Sequence, residues 1–124
     1  MKKVFVVDDN TSNLLVADEF LSEQYDAYTL SSASFMFGLL NNIIPDLILM
    51  DLLMPDTSGF EALKQLKADV RYAGIPVVII TSKNDAATEA LCIEMGAVDF
   101  IRKPFSKSVL LDRIGSLLDN DEKQ

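Results

Sequence analysis

The chain has 124 residues and 49% hydrophobic composition, enough for one core burying roughly two-thirds of the unfolded surface; this excludes a disordered segment and leaves no room for two domains. Its lone cysteine, Cys92, excludes an internal disulfide, suits a reducing compartment and, set in a helical pattern, reads as a small buried hydrophobe. A net charge of −8 argues against direct contact with nucleic acid or an anionic membrane, and no apolar run approaches the roughly 18 residues of a span or leader, which together imply a cytoplasmic protein.

Val4–Val7 reads as a first strand, apolar throughout and so covered on both faces. Asn10 or Thr11 caps a helix carrying Leu14, Leu15, Ala17, Phe20 and Leu21. Asp26–Leu30 is a shorter, more polar strand of edge character, and the Ser31–Ser34 cluster leads into a helix near Phe35–Asn42. Pro45 opens the way to a third strand, Leu47–Met50, which ends at Asp51. Met54–Gly59 has turn chemistry, with Pro55 fixing φ and Gly59 permitting unusual φ before a helix at Phe60–Ala68. After Pro76 comes a fourth strand, Val77–Ile80, ending at Thr81 and Ser82. Asn84 or Asp85 caps a helix to Met95, with Gly96 as its C′ residue. Val98–Ile101 is a fifth strand, Lys103–Pro104 a tight turn, Ser106–Leu118 a last helix and Asp119–Gln124 a polar tail or linker start. Five strands alternating with five helices predict an α/β, doubly wound parallel sheet with helices on both faces, in one domain over 1–118.

In such sheets ligands bind beyond the carboxyl ends of the strands. There the sequence places Asp8 and Asp9, Asp51, Thr81 with Ser82 and, after the fifth strand, Lys103. Carboxylates so crowded repel one another and need a countercharge. Oxygen ligands suit Mg²⁺, which shares its shell with water and phosphate oxygens; with no histidine in the chain, zinc is disfavoured. An ammonium and a hydroxyl opposite would hold further oxygens of a phosphoryl group, and one carboxylate can itself be the nucleophile.

The segments Val6-Val7-Asp8-Asp9, Asp46 to Pro55, Gly59, Pro76 to Thr81 and Lys103-Pro104-Phe105, in this order and spacing, resemble the receiver domains of two-component response regulators over essentially the whole chain. The resemblance implies a flavodoxin-like sheet of order 2-1-3-4-5. It further implies that Asp51 is the phosphoacceptor, that Asp8, Asp9, Asp51 and the backbone carbonyl of Leu53 hold Mg²⁺, and that Lys103 meets the phosphoryl group. Thr81 and Phe100 fall at the switch positions; Leu53 and Lys83 fall where the family tunes water access, so bulky residues there imply slow autodephosphorylation. Such a domain is no enzyme toward a separate substrate, though it catalyses its own phosphorylation. Its implied partners are a histidine kinase or histidine phosphotransfer protein and, through the fourth helix, fifth strand and fifth helix, a downstream protein or output domain.

Two features depart from the family pattern. Ser34-Phe35-Met36-Phe37-Gly38 is unusually apolar, and the reading is that two of its three large side chains are buried and one exposed. Asp99 and Arg113 match part of the charge pattern of dimerising receivers, but Val109 replaces an acid, leaving a monomer or a phosphorylation-dependent dimer. A haloacid-dehalogenase-type phosphatase would need an acid where Leu53 stands. A flavodoxin would need a Ser/Thr/Gly-rich loop in place of Asp8-Asp9, and a pure interaction module would not need the full acidic set.

Overall fold

Alternating short apolar strands with helices gives, in the computed structural model, β1 (Lys3–Val7), α1 (Thr11–Leu21), β2 (Asp26–Leu30), α2 (Ala33–Leu40), β3 (Leu47–Met50), α3 (Gly59–Ala68), β4 (Val77–Thr81), α4 (Ala86–Glu94), β5 (Asp99–Arg102) and α5 (Lys107–Glu122). The structure describes residues 1–54, 57–83 and 85–122, with side chains to Asp119. Pro55, Asp56 and Asn84, singled out above as turn or cap residues, lie outside the described residues, as do Lys123 and Gln124.

All strand pairs are parallel, and the sheet order is β2-β1-β3-β4-β5. The switch point lies between β1 and β3, whose register pairs Val7 with Met50. Alternation along each strand divides the core between two layers. Phe5, Val7, Ile48, Met50, Ile79 and Phe100 face α2, α3 and α4, where they meet Met36, Leu63, Leu66 and Cys92. Val4, Val6, Leu49, Val78, Ile80 and Ile101 face α1 and α5 and meet Leu14, Leu21, Leu110 and Ile114. β3 is completely buried, which is why it carries no polar residue before Asp51. Each such aliphatic side chain contributes about 1.5–3 kcal/mol by leaving water.

β2 is the edge strand its polar pattern implies. Asn10, Ser32 and Ser58 each accept the N–H three residues on, at 3.1, 3.1 and 3.2 Å, and Asp85 does the same for α4 at 2.7 Å. Capping by Ser32 starts α2 two residues before the predicted Phe35, and the chain turns off at Asn41 and Asn42. On α2, Met36 is buried, Phe37 partly buried against the core and Phe35 exposed. Gly96 follows the α4 C-cap with φ +113°, the left-handed geometry a C′ glycine supplies. α5 runs through Glu122 and so takes in the first residues of the predicted tail. Among the described residues no helix is long and apolar enough to cross a membrane.

Candidate functional site

The carboxyl edge of the sheet carries the chemistry. Asp8 and Asp51 each extend the backbone ladder one residue beyond their strands: Asp8 N–H donates to Leu30 O and Asp51 N–H to Val7 O, both at 3.0 Å. That fixes two carboxylates side by side at the switch point, and both are almost wholly buried, at 3% and 6% exposure. Asp9, next in the chain, is exposed. Even so, one carboxylate oxygen from each of Asp8, Asp9 and Asp51 lies within 4.8 Å of the others.

Lys103 reaches this cluster from the end of β5. Its Nζ donates to Asp8 Oδ2 at 2.6 Å and to Asp51 Oδ2 at 2.8 Å. Its backbone N–H donates to Thr81 O at 3.0 Å, so β4 sets where the lysine starts. Burial pulls the Lys103 ammonium down, but the hydrogen bonds to Asp51 and Asp8 outweigh it and hold the group above the usual lysine range. The other oxygens are held by backbone: Asn10 N–H donates to Asp8 Oδ1 at 3.0 Å and Leu53 N–H to Asp51 Oδ1 at 3.2 Å. These bonds orient both carboxylates without leaving their rotamers to chance.

One ammonium against three carboxylate side chains leaves a formal charge of −2, with an oxygen donor from each acid. That donor set fits a hard divalent cation such as Mg²⁺ and not a thiolate or imidazole metal. The only cysteine, Cys92, is buried in α4 within the core.

Thr81 is fully buried at the end of β4, where its hydroxyl accepts the Lys83 N–H at 3.3 Å. Phe100 is buried too, in the layer shared with α4. Leu53, at 54% exposure, and Lys83 stand on the loops after β3 and β4 with much of their side chains in solvent. Farther round, Asp99 is paired with Arg113 at 2.7 Å and Glu89 with Arg102 at 2.9 Å within the chain.

Sequence reasoning gave Gly59 a role through φ, and the structure gives it another. Its φ is not positive; a Cβ there would lie 2.3 Å from the backbone oxygen of Asp51 and 2.6 Å from Leu52 Cα. The start of α3 packs directly on the backbone of the site, helped by a Gly59 N–H to Leu52 O bond at 2.9 Å. A glycine eight residues after Asp51 was visible; a contact between backbones was not.

Residues 4–115 match the model of the response regulator receiver domain. A probable cyclic di-GMP phosphodiesterase of Vibrio cholerae is 32% identical over 117 residues, covering 94% of this chain and 26% of that protein. The DNA-binding response regulator MtrA of Mycolicibacterium smegmatis is 31% identical, covering 99% of this chain and 53% of its own length. The chain thus spans about half or less of these curated relatives. A solved CheY-like response regulator receiver domain protein from Methanospirillum hungatei has a TM-score of 0.89 at 27% identity, covering 99% of this chain and 98% of that one.

Proposed function

Because this chain belongs to the receiver-domain family of two-component response regulators, we propose that it is a phosphorylation-dependent signalling switch whose phosphoacceptor is Asp51. The observation that carries the reading is the Asp51 carboxylate itself, buried at the end of β3, oriented by Leu53 N–H and cross-linked to Asp8 through Lys103.

In this reading an Asp51 oxygen attacks the phosphorus of a phosphohistidine on a histidine kinase or histidine phosphotransfer protein. The P–O bond forms, the P–N bond breaks, and the imidazole leaves with the electron pair and takes up a proton from solvent, giving an acyl phosphate on Asp51. Asp8, Asp9, Asp51 and the Leu53 carbonyl are the residues that would hold Mg²⁺, which when bound neutralises the phosphoryl oxygens. Lys103 supplies a second positive charge from the β5 side, and Thr81, at the end of β4, supplies a hydroxyl for the same oxygens. Burial of Asp51 keeps bulk water from the acyl phosphate, and the exposed Leu53 and Lys83 flank the approach of what water remains, making autodephosphorylation slow. The domain catalyses these steps on itself and has no separate substrate.

Drawing Thr81 toward the new charge, with Phe100 moving as the switch aromatic, would alter the α4–β5–α5 surface read by a downstream protein or output domain. On that surface Asp99 is paired in cis with Arg113 and Glu89 with Arg102, which favours a monomer or a dimer formed only on phosphorylation. The −8 charge disfavours nucleic-acid contact by this domain alone, and among the described residues no helix is long and apolar enough to cross a membrane, in keeping with the cytoplasmic location this reading implies.

The test is incubation with acetyl phosphate and Mg²⁺ followed by intact-mass measurement. The expected result is one phosphate adduct that needs Mg²⁺ and disappears in Asp51→Asn. No adduct from this donor or from any phosphohistidine protein overturns the reading.

A further inference from the structure

α2 shows solvent a surface without charge. From Ser31 to Pro45 the chain has no charged residue, although charged residues make up 24% of the whole. On the outer side of the helix Ser34, Phe35, Gly38, Asn41 and Asn42 are exposed, and Phe35 keeps 64% of its surface in water. Nothing in the fold requires glycine at position 38: its φ is not positive, and among the described residues a Cβ there would meet nothing within 4 Å. Glycine inside a helix is destabilising relative to alanine, so the open space above it is kept at a cost.

At the C-terminal end of α2 a shallow hollow opens between the helix and the turn after α3. Leu40, Ile44 and Tyr72 line it, and the Arg71 guanidinium lies over the Tyr72 ring, 4.8 Å from its centroid. Arg71 is paired with Asp69 at 2.8 Å, so the hollow is neutral as well. Such walls suit an aromatic ring, through apolar contact and through stacking on the guanidinium. An exposed aromatic knob and an open aromatic-lined hollow thus stand on one face, on either side of Gly38. Phe35 lies three residues before it, and Asn41, on the rim of the hollow, three residues after.

That spacing is self-complementary. Two copies of α2 crossing antiparallel at Gly38 bring Phe35 of each copy to the hollow of the other, and the missing Cβ lets the two backbones approach closely. We propose that α2 is the contact between two copies of this chain, a two-fold pair closed by reciprocal insertion of Phe35. Charge selects this occupant. The face offers nothing to attract a partner of opposite sign, whereas two copies of net charge −8 can come close only where charge is absent. α2 is about 12 Å long, which makes the contact small and the pair weak and concentration-dependent. α2 packs on β1 and β2, at the edge of the sheet opposite β5, so pairing leaves the α4–β5–α5 surface free.

Sedimentation equilibrium of the full chain from about 10 µM to about 1 mM tests the proposal. The expected mass rises from one chain toward two, and the association tightens with added salt, which screens the repulsion between like net charges. Phe35→Ser and Gly38→Leu are each expected to raise the dissociation constant at least about tenfold, and Val109→Ser to leave it unchanged. Both α2 positions are exposed, so these variants keep the fold. A second measurement uses disulfide formation, since Cys92 is buried and leaves a new thiol to report alone. Under mild oxidation Gly38→Cys, with its thiols across the two-fold, is expected to link at least about tenfold faster than Leu15→Cys, exposed on α1. A chain that stays monomeric at the highest concentration overturns the proposal and leaves α2 to a different partner. A dimer that ignores Phe35→Ser, is lost in Val109→Ser or weakens with salt overturns it too, as do equal linking rates for the two cysteine variants.

Discussion

Single residues in this chain are constrained by what the site's backbone allows. Adding one methyl at Gly59 would drive a Cβ to 2.3 Å from Asp51 O, against backbone that cannot rotate away. Gly59→Ala is therefore expected to cost about 3 kcal/mol or more, the upper part of the range for overpacking. Urea denaturation measures it, and a loss below about 1 kcal/mol would show that α3 can shift as a body. Leu53 and Lys83 offer a kinetic counterpart. Slow autodephosphorylation implies a barrier above about 20 kcal/mol, hence an acyl-phosphate half-life longer than about a minute. Decay of the phosphorylated mass after donor removal measures this. Replacing both residues with Asn is expected to shorten the half-life; an unchanged half-life would put the control elsewhere.

At the scale of elements, α2 separates packing from exposure within two consecutive residues. Met36 is fully buried between α2 and the sheet, whereas Phe35 is 64% exposed. Met36→Ala is expected to cost about 2–5 kcal/mol and Phe35→Ser no more than about 0.5 kcal/mol, both read from urea midpoints. Comparable losses at both sites would mean that Phe35 is covered in solution. α4 gives a pH test. The side-chain and backbone hydrogen bonds of Thr88 hold the Asp85 carboxyl below its ordinary value of 3.8. A carboxylate depressed on folding stabilises above its unfolded value, and that contribution fades as pH falls through the folded one. Asp85→Ala should thus lower the urea midpoint at pH 7, and the gap should close below pH 3.8. A gap independent of pH would assign the loss to something other than the charged cap.

The same elements explain what was legible beforehand. Spans such as Asp26–Leu30 and Leu47–Met50 were readable because strand burial imposes a local pattern, and Asp8, Asp51, Thr81 and Lys103 because each ends or directly follows a strand. The extension of α5 was not readable from hydrophobic periodicity, which stops at Leu118; Asp119 to Glu122 contain neither Gly nor Pro to end a helix. Nor was Lys103 bridging two carboxylates. Asp8 and Asp51 are 95 and 52 residues away from it in sequence, and only the strand order brings them together.

At the scale of the whole molecule, the sheet holds unfavourable charge at one edge, and the two apolar layers supply the stability that tolerates it. β1, β3 and β5 converge on the cluster, so a ligand that relieves the repulsion is bound by the native fold and not by the unfolded chain. Mg²⁺ should then stabilise the whole domain by mass action, by about 2.7 kcal/mol at a concentration one hundred times its Kd. Thermal unfolding followed by circular dichroism in rising Mg²⁺, with reversal by EDTA, measures the effect. Asp9→Asn should weaken it without lowering the metal-free melting temperature, because Asp9 is exposed and leaves the core untouched. Asp8→Asn should abolish it and also alter metal-free stability, because it removes a buried acceptor of Lys103. A Tm that does not respond to Mg²⁺ in the wild type, or an Asp9→Asn variant that responds as strongly, would mean that the three carboxylates do not act as one cation site.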